Sequence, residues 1–112
     1  MIAEYIRYTV SGAERGAELV SAYEKAATAL EAAPECLRYE LAVCEEDPTS
    51  YILRIEWRST EAHLQGFRKG PNFPPFFQAI GGFVKEITEM RHYHLTAVRS
   101  GTDREEAAIT GR

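Results

Sequence analysis

Histidine is the residue type here that can take up or release a proton near neutral pH, and the chain has three. His63 follows shortly after the single tryptophan, Trp57. A histidine beside an aromatic wall can act as a general base, because its pKa lies close to the working pH. The alternative is a histidine that is only exposed or hydrogen-bonded. We treat His63 as the candidate catalytic residue.

The other two histidines, His92 and His94, flank Tyr93. On a strand they would lie on one face, about 7 Å apart, a spacing that some metal sites use. A metal ion needs a further ligand that converges on that face, and the sequence does not identify one. We therefore expect no metal ion and interpret the pair as surface or interface histidines.

Aromatic residues are concentrated at and after the tryptophan. They are Trp57, Phe67, Phe73, Phe76, Phe77 and Phe83. One interpretation is a packed core, because aromatic side chains bury the most area. The other is a pocket for a flat apolar ligand, with Trp57 and Phe73 as the preferred lining residues. Both interpretations stay open.

Polar side chains on the predicted strands could complete such a pocket. Tyrosines 39, 51 and 93 could each donate a hydrogen bond to a ligand oxygen, and arginine 7 or 91 could hold an anionic oxygen. Each of them also has a purely structural interpretation. The predicted substrate-binding residues are Trp57, Phe67, Phe73, Phe77, Tyr51 and Arg91.

Charge and motifs disfavour several classes of protein. The net charge of -4 argues against sequence-independent nucleic-acid binding, which needs a basic surface. The chain contains no glycine-rich phosphate loop, nucleophile elbow or Cys-x-x-Cys pair.

No apolar run approaches the roughly 18 residues of a membrane span, and Glu4 stands where a signal peptide would be basic. We expect a cytoplasmic protein with reduced thiols at Cys36 and Cys44, since their predicted separation of about 26 Å on one strand excludes a disulfide.

Hydrophobic patterns predict a single domain. Strands are predicted over residues 2–10, 36–45, 51–58 and 87–98, and helices from the capping box at residues 11–14 to residue 33, from the capping residue Ser59 to residue 69, and over residues 73–80. The order β-α-β-β-α-β predicts an α+β ferredoxin-like fold, with helices on one face of an antiparallel sheet. We assign residues 1–98 to this domain and residues 99–112 to a C-terminal tail.

Charged residues share one face of the predicted hairpin. Arg38 and Glu40 on one strand have the same alternation as Arg54, Glu56 and Arg58 on the next. Opposite charges can therefore pair across the two strands. Such a half-polar face suits partial solvent exposure or contact with a second subunit.

The run IEWRSTEAHLQGFRKGPNFPPFF, together with the order of elements, resembles the antibiotic biosynthesis monooxygenase domain over residues 2–98. Its most specific part is the Glu-Trp-x-Ser element that contains Trp57. The resemblance implies that Trp57 is a pocket residue. It also implies a homodimer in which two sheets pack face to face as a dimeric α+β barrel, while each subunit keeps its own pocket.

Relatives of this kind include small monooxygenases that oxidise polycyclic phenols or hydroquinones to quinones with molecular oxygen, without flavin, haem or metal. The resemblance therefore implies no cofactor. An electron-rich phenolate can pass an electron to oxygen itself, if the protein binds, deprotonates and orients it. The expected partners are a small aromatic molecule, oxygen and a second copy of the chain, and neither nucleic acid nor membrane.

The segment from Gly66 to Phe73 departs from the family pattern. Members often carry a His-x-x-Ser-x-His-Phe segment here, and both of its histidines are absent. His63 lies nearby but out of register. Haem-degrading relatives use an asparagine on the first strand and a histidine some way after the tryptophan. Arg7 and Phe67 stand at those places, which disfavours haem degradation.

Three functions are compatible with these residues. The first is a cofactor-independent monooxygenase that acts on an aromatic phenol or hydroquinone. The second is a non-catalytic binding or regulatory module for an apolar aromatic ligand, which the missing histidines suggest. The third is a small isomerase or cyclase that uses His63 on a polyketide-like substrate. We predict the first.

Overall fold

In the computed structural model, which describes residues 1–100, an antiparallel sheet carries helices on one of its sides. The elements are β1 (Ile2–Thr9), α1 (Ala13–Ala32), β2 (Cys36–Val43), β3 (Ser50–Trp57), a π-helical segment (Ala62–Phe67), α2 (Phe73–Ile80), a 3-10 segment (Gly81–Glu86) and β4 (Ile87–His94). The strands lie in the order β2-β3-β1-β4, and neighbouring strands are antiparallel. The predicted α+β ferredoxin-like fold is confirmed.

Helix α1 lies over the sheet with an apolar stripe beneath it. The buried residues of the stripe are Gly16, Leu19, Tyr23, Ala26, Ala29 and Leu30. The predicted capping box is wrong, since α1 begins at Ala13 after Gly12 and no side chain caps it. Glycine is an accepted residue at this position, and its extended backbone separates Ser11 from the first turn. Packing of the apolar stripe on the sheet, rather than a side-chain cap, holds this helix in place.

Alternation along the strands gives the sheet a helix-facing side and an open side. The helix-facing residues of β1 and β3 are Ile2, Glu4, Ile6, Tyr8, Leu53, Ile55 and Trp57. Glu4 pairs directly with His92 of β4. Because directly paired residues share a side of the sheet, His92 also points under the helices. An acid, an indole and an imidazole are thus brought to one region.

The chain after β3 begins a helix as predicted but continues in a wider form. Ser59 Oγ accepts a hydrogen bond from the Ala62 amide at 2.9 Å, which is the predicted cap. The Arg68 amide then bonds the His63 carbonyl at 3.0 Å, a spacing of five residues that defines a π-helical turn. His63 and Phe67 are both buried. Because they are four residues apart, both side chains lie on one face of this segment, against the sheet.

The open side of the sheet carries the predicted charge pairs. Arg38 pairs with Glu56 and Arg54 with Glu40 in the strand register, and their side chains lie 3.5 and 3.6 Å apart. Glu56 is only 2% exposed and also contacts Arg54 at 2.8 Å and Arg99 at 3.1 Å. Burial alone would raise the pKa of Glu56, but hydrogen bonds from Arg54 and Arg99 outweigh it and lower that pKa. Glu56 is the centre of an ion network.

The C-terminal part of the chain differs from its prediction in one respect. Strand β4 ends at His94, earlier than predicted, because the backbone pairing with β1 stops at Ile2. The predicted tail at residues 99–112 lies outside the described residues from residue 101 onward. Within residues 1–100, no helix is both long enough and apolar enough to cross a membrane.

We predict that Glu56→Gln lowers the free energy of unfolding by about 2 kcal/mol at pH 7, because it leaves several arginines around a neutral group. Folding lowers the pKa of Glu56 below its value of 4.5 in the unfolded chain. The ionised carboxylate therefore stabilises the folded protein fully at pH values above 4.5. This stabilisation is lost as the pH falls through the lower pKa of the folded state. The variant should therefore lose less stability than the unmodified protein between about pH 5 and pH 3.

Urea denaturation at fixed protein concentration measures both effects. Glu40→Gln is the matched control, because this exposed partner of Arg54 should cost less than about 1 kcal/mol. Equal stability of the Glu56→Gln variant and the unmodified protein at pH 7 would contradict a stabilising network.

Candidate functional site

A cavity of about 180 Å³ lies between the helix-facing side of the sheet, the π-helical segment and α2. Most of its wall is apolar. The apolar lining residues are Ile6, Ile55, Phe67, Phe73, Phe76, Phe77, Ile80, Val84, Ile87 and Met90. The polar groups on the wall belong to Glu4, Tyr8, Trp57, His63 and Arg68. Ligand sites of small molecules commonly have this composition, with few polar groups in an apolar wall.

The aromatic side chains of the wall pack against one another. The ring of Phe67 lies 4.8 Å from Trp57, 5.8 Å from Phe73 and 5.4 Å from Phe76, and the two phenylalanine contacts are edge-to-face. Phe77 stacks on Phe73 at 5.7 Å and is 47% exposed. The inner rings are therefore part of the core and also line the cavity.

Four side chains from four elements meet at one end of the cavity. Trp57 Nε1 of β3 donates a hydrogen bond to Glu4 Oε1 of β1 at 3.0 Å. His63 Nε2 lies 3.9 Å from the same oxygen, and His92 Nε2 of β4 lies 3.4 Å from Glu4 Oε2. The rings of His63 and Trp57 lie 4.5 Å apart. We call Glu4, Trp57, His63 and His92 the polar end of the cavity; the first three line the cavity, and His92 contacts Glu4 beside it.

Burial controls the charge of the polar end. Desolvation raises the pKa of Glu4, and the hydrogen bond from Trp57 with the charges of His92 and Arg68 only partly offsets it. Desolvation also lowers the pKa of His63 to about 4, helped by the positive charges of His92 and Arg68. His63 is therefore a neutral imidazole near pH 7. The sequence-based expectation of a pKa close to the working pH is wrong, because burial penalises the charged form.

The hydrogen bonding of His63 is incomplete. The residue is 3% exposed, and neither Nδ1 nor Nε2 has a hydrogen-bond partner within residues 1–100. Buried polar atoms in proteins are nearly always paired, so such a group needs an explanation. A neutral imidazole always keeps one nitrogen lone pair. His63 can therefore accept a proton or a hydrogen bond from a molecule in the cavity.

Tyr8 is the polar residue of the wall on the same strand as Glu4. Its hydroxyl shares a hydrogen bond of 2.5 Å with the hydroxyl of Tyr23 from α1. Burial raises the pKa of both phenols. The pair stays protonated, and it fixes α1 to the sheet.

The structure brings five of the predicted site residues to the cavity. These are Trp57, Phe67, Phe73, Phe77 and His63. Tyr51 and Arg91 lie elsewhere. Tyr51 packs against Gly16 at the other end of β3, and Arg91 alternates with His92, so it lies on the open side, 2.9 Å from Glu89.

The remaining sequence candidates also lie away from the polar end. Tyr39 donates a hydrogen bond to Glu31, Tyr93 packs edge-to-face on Tyr5, and Arg7 pairs with Glu89. Glu4 and His92 were missed as site residues. For Glu4 a signal existed, since this acid shares the alternation of Ile2 and Ile6.

Comparison with known proteins identifies relatives of the sequence. Residues 1–79 match the sequence model of the antibiotic biosynthesis monooxygenase family. The uncharacterized protein YczJ of Bacillus subtilis (strain 168) is 24% identical over 76 residues, which cover 68% of this chain and 80% of YczJ.

Solved structures share the fold at low sequence identity. SnoaB, a cofactor-independent oxygenase from Streptomyces nogalater, is 23% identical with a TM-score of 0.64, over 88% of this chain and 94% of SnoaB. A conserved protein from Methanosarcina mazei Go1 is 17% identical with a TM-score of 0.69, over 85% of this chain and 92% of that protein. At these identities the likeness establishes the fold.

We predict that two aromatic substitutions in the wall act differently. Phe67→Ala should lower the free energy of unfolding by about 3–5 kcal/mol, because it empties a buried site between packed rings. Phe77→Ala should cost about 1 kcal/mol or less, since this ring is half exposed, but it should weaken binding of an aromatic probe such as 1-naphthol.

Urea denaturation measures the first effect, and quenching of the fluorescence of Trp57, the single tryptophan, measures binding. Naphthol binding that is as tight in the Phe77→Ala variant as in the unmodified protein would show that the probe does not enter this cavity.

Proposed function

The chain belongs to the antibiotic biosynthesis monooxygenase family, and from this premise we propose that it oxidises a small phenol or hydroquinone with molecular oxygen and without a cofactor. The observation that carries the proposal is an aromatic-lined cavity that ends at a buried, neutral His63 without hydrogen-bond partners within residues 1–100. A related fold occurs in SnoaB, which is a cofactor-independent oxygenase. The combination of an apolar wall and an imidazole without a hydrogen-bond partner among residues 1–100 favours a flat substrate with a hydroxyl at one end.

The size of the cavity sets the substrate class. An engineered apolar cavity of about 150 Å³ takes up benzene, and sites for drug-sized ligands measure about 300–1,000 Å³. The present cavity of about 180 Å³ fits a one-ring or two-ring aromatic molecule. A larger polycyclic substrate would require the half-exposed ring of Phe77 to move outward.

In the proposed reaction, His63 accepts the proton of the phenolic hydroxyl. The resulting phenolate is electron-rich and passes an electron to oxygen. Oxygen then bonds to a ring carbon that carries hydrogen. One oxygen atom remains as the new quinone carbonyl, and the other leaves as water with the hydrogens of the hydroxyl and of that carbon. The protein contributes orientation, proton acceptance and an apolar space around the reactants.

We also propose that the chain forms a homodimer through the open side of the sheet. This side carries the Glu56 ion network together with Tyr5, Ile52 and Tyr93. Aromatic residues and arginines are enriched in protein interfaces. A second copy would cover this side while leaving the cavity on the helix-facing side accessible.

The reaction predicts a specific dependence on His63. With 1-naphthol as substrate, His63→Gln should slow catalysed oxygen uptake by at least about 100-fold, as expected for loss of a general base. His94→Ala is the matched control, because His94 does not line the cavity and should leave the rate unchanged. Mass spectrometry after reaction under isotopically heavy oxygen should find one labelled atom in the quinone.

Other results would select a different function. Tight binding with no change in the mass of the ligand would support the non-catalytic binding module. A product of unchanged mass but altered structure would support an isomerase or cyclase. Oxygen uptake no faster than uncatalysed autoxidation, for every one-ring or two-ring phenol tested, would contradict the proposed monooxygenase activity.

Dimerisation is testable without a substrate. Light scattering should return about twice the chain mass of 12.6 kDa, and Ile52→Asp on the open side should shift it toward the single-chain mass. Thr28→Asp, on the exposed surface of α1, should leave the dimer intact. A single-chain mass for the unmodified protein at micromolar concentration would contradict this assembly.

A further inference from the structure

We infer that Glu4, His63 and His92 bind one divalent first-row transition-metal ion at the polar end of the cavity. One carboxylate oxygen and two imidazole nitrogens, one from each residue, lie within 4.8 Å of one another. Carboxylate and imidazole groups together are ligands that zinc, cobalt and iron(II) accept. This site was not visible from the pair His92 and His94, because the further ligands come from β1 and the π-helical segment.

The distances are close to those of a formed metal site. Zinc binds imidazole nitrogen and carboxylate oxygen at about 2.0–2.2 Å, so two ligands of one ion stand about 3–4 Å apart. Glu4 Oε2 and His92 Nε2 are 3.4 Å apart, and Glu4 Oε1 and His63 Nε2 are 3.9 Å apart, so these two contacts use different oxygens of the carboxylate. The set with a single oxygen spans up to 4.8 Å, and a bound ion would draw its three groups closer together. The side chain of His92 is 41% exposed. It can adjust its rotamer and provides a route for the ion from solvent.

The buried imidazole is the second, independent observation. Both nitrogens of His63 lie in the protein interior without a hydrogen-bond partner among the described residues. A bound ion would pair with one of them, which accounts for an otherwise costly arrangement. His63 is thus positioned as a ligand before any ion arrives.

A supporting hydrogen bond orients the carboxylate. Trp57 Nε1 donates to Glu4 Oε1 at 3.0 Å and turns the other oxygen toward His92. Hydrogen bonds of this kind to metal ligands fix their orientation and raise the affinity for the ion. Three protein ligands would leave a fourth coordination position for water or another small molecule.

The ion would act on the proposed oxidation as an inhibitor. This step rests on the proposed function, since a metal bound to His63 occupies the lone pair that would take the phenolic proton. Metal binding itself does not depend on the proposed oxidation. Experiments can therefore disprove the metal site and the oxidation independently of each other.

Titration of the chelator-treated full-length protein with Co²⁺ tests the site without substrate. We expect one ion per chain, with visible absorption bands of a low-coordinate cobalt centre. His63→Gln and His92→Ala should each weaken binding by more than about 100-fold, because loss of a ligand exceeds the 10–100-fold cost of losing a supporting group. His94→Ala should bind as the unmodified protein does.

Two results would overturn the site. One is the absence of saturable Co²⁺ binding to the unmodified protein, and the other is binding that depends on His92 and His94 but not on His63. Circular dichroism and urea denaturation check the folding of both variants, because His92→Ala removes a partner of the buried Glu4 and His63→Gln alters a buried side chain.

A second measurement tests the inhibition. Zn²⁺ should slow oxygen uptake by the unmodified protein and by His94→Ala, and a chelator should restore both rates. Unchanged rates at a Zn²⁺ concentration that saturates the site would overturn the inhibitory role. If no catalysed uptake exists at all, the cobalt titration still decides whether the metal site is present.

Discussion

The buried carboxylate of Glu4 is the constraint to which the helix-facing side of the sheet is fitted. Removing a carboxylate from water costs several kcal/mol unless partners replace the lost hydration, and Glu4 is only 4% exposed between Ile2 and Ile6. Its partners are the indole of Trp57 and the imidazole of His92. A single acid in an apolar row thus determines which residues can stand at two other strand positions.

The two sides of the sheet bury a glutamate by opposite means. Glu56 lies among guanidinium groups, so its pKa falls and it stays ionised. Desolvation dominates at Glu4, whose neighbours only partly offset it, so its pKa rises. The two acids are therefore stabilised differently, Glu56 by ion pairs on the open side and Glu4 by the hydrogen bond from Trp57 on the helix-facing side.

The fold was more accessible from sequence than the site. Alternation within each strand and the Ser59 cap are local patterns, and the pairing of Arg38 with Glu56 needs only two neighbouring strands. The polar end depends on the register between β1 and β4, which are separated by most of the chain. Arg91 illustrates the consequence: it is adjacent to His92, and one step along a strand reverses the side on which a residue lies.

The π-helical turn makes this segment tolerant of a one-residue change in chain length. An α-helix rotates by about 100° per residue, and it keeps residues three or four positions apart on one face. His63 and Phe67 are four positions apart. Deleting one residue between them would restore an ordinary helix with the two side chains three positions apart, so both would still face Trp57.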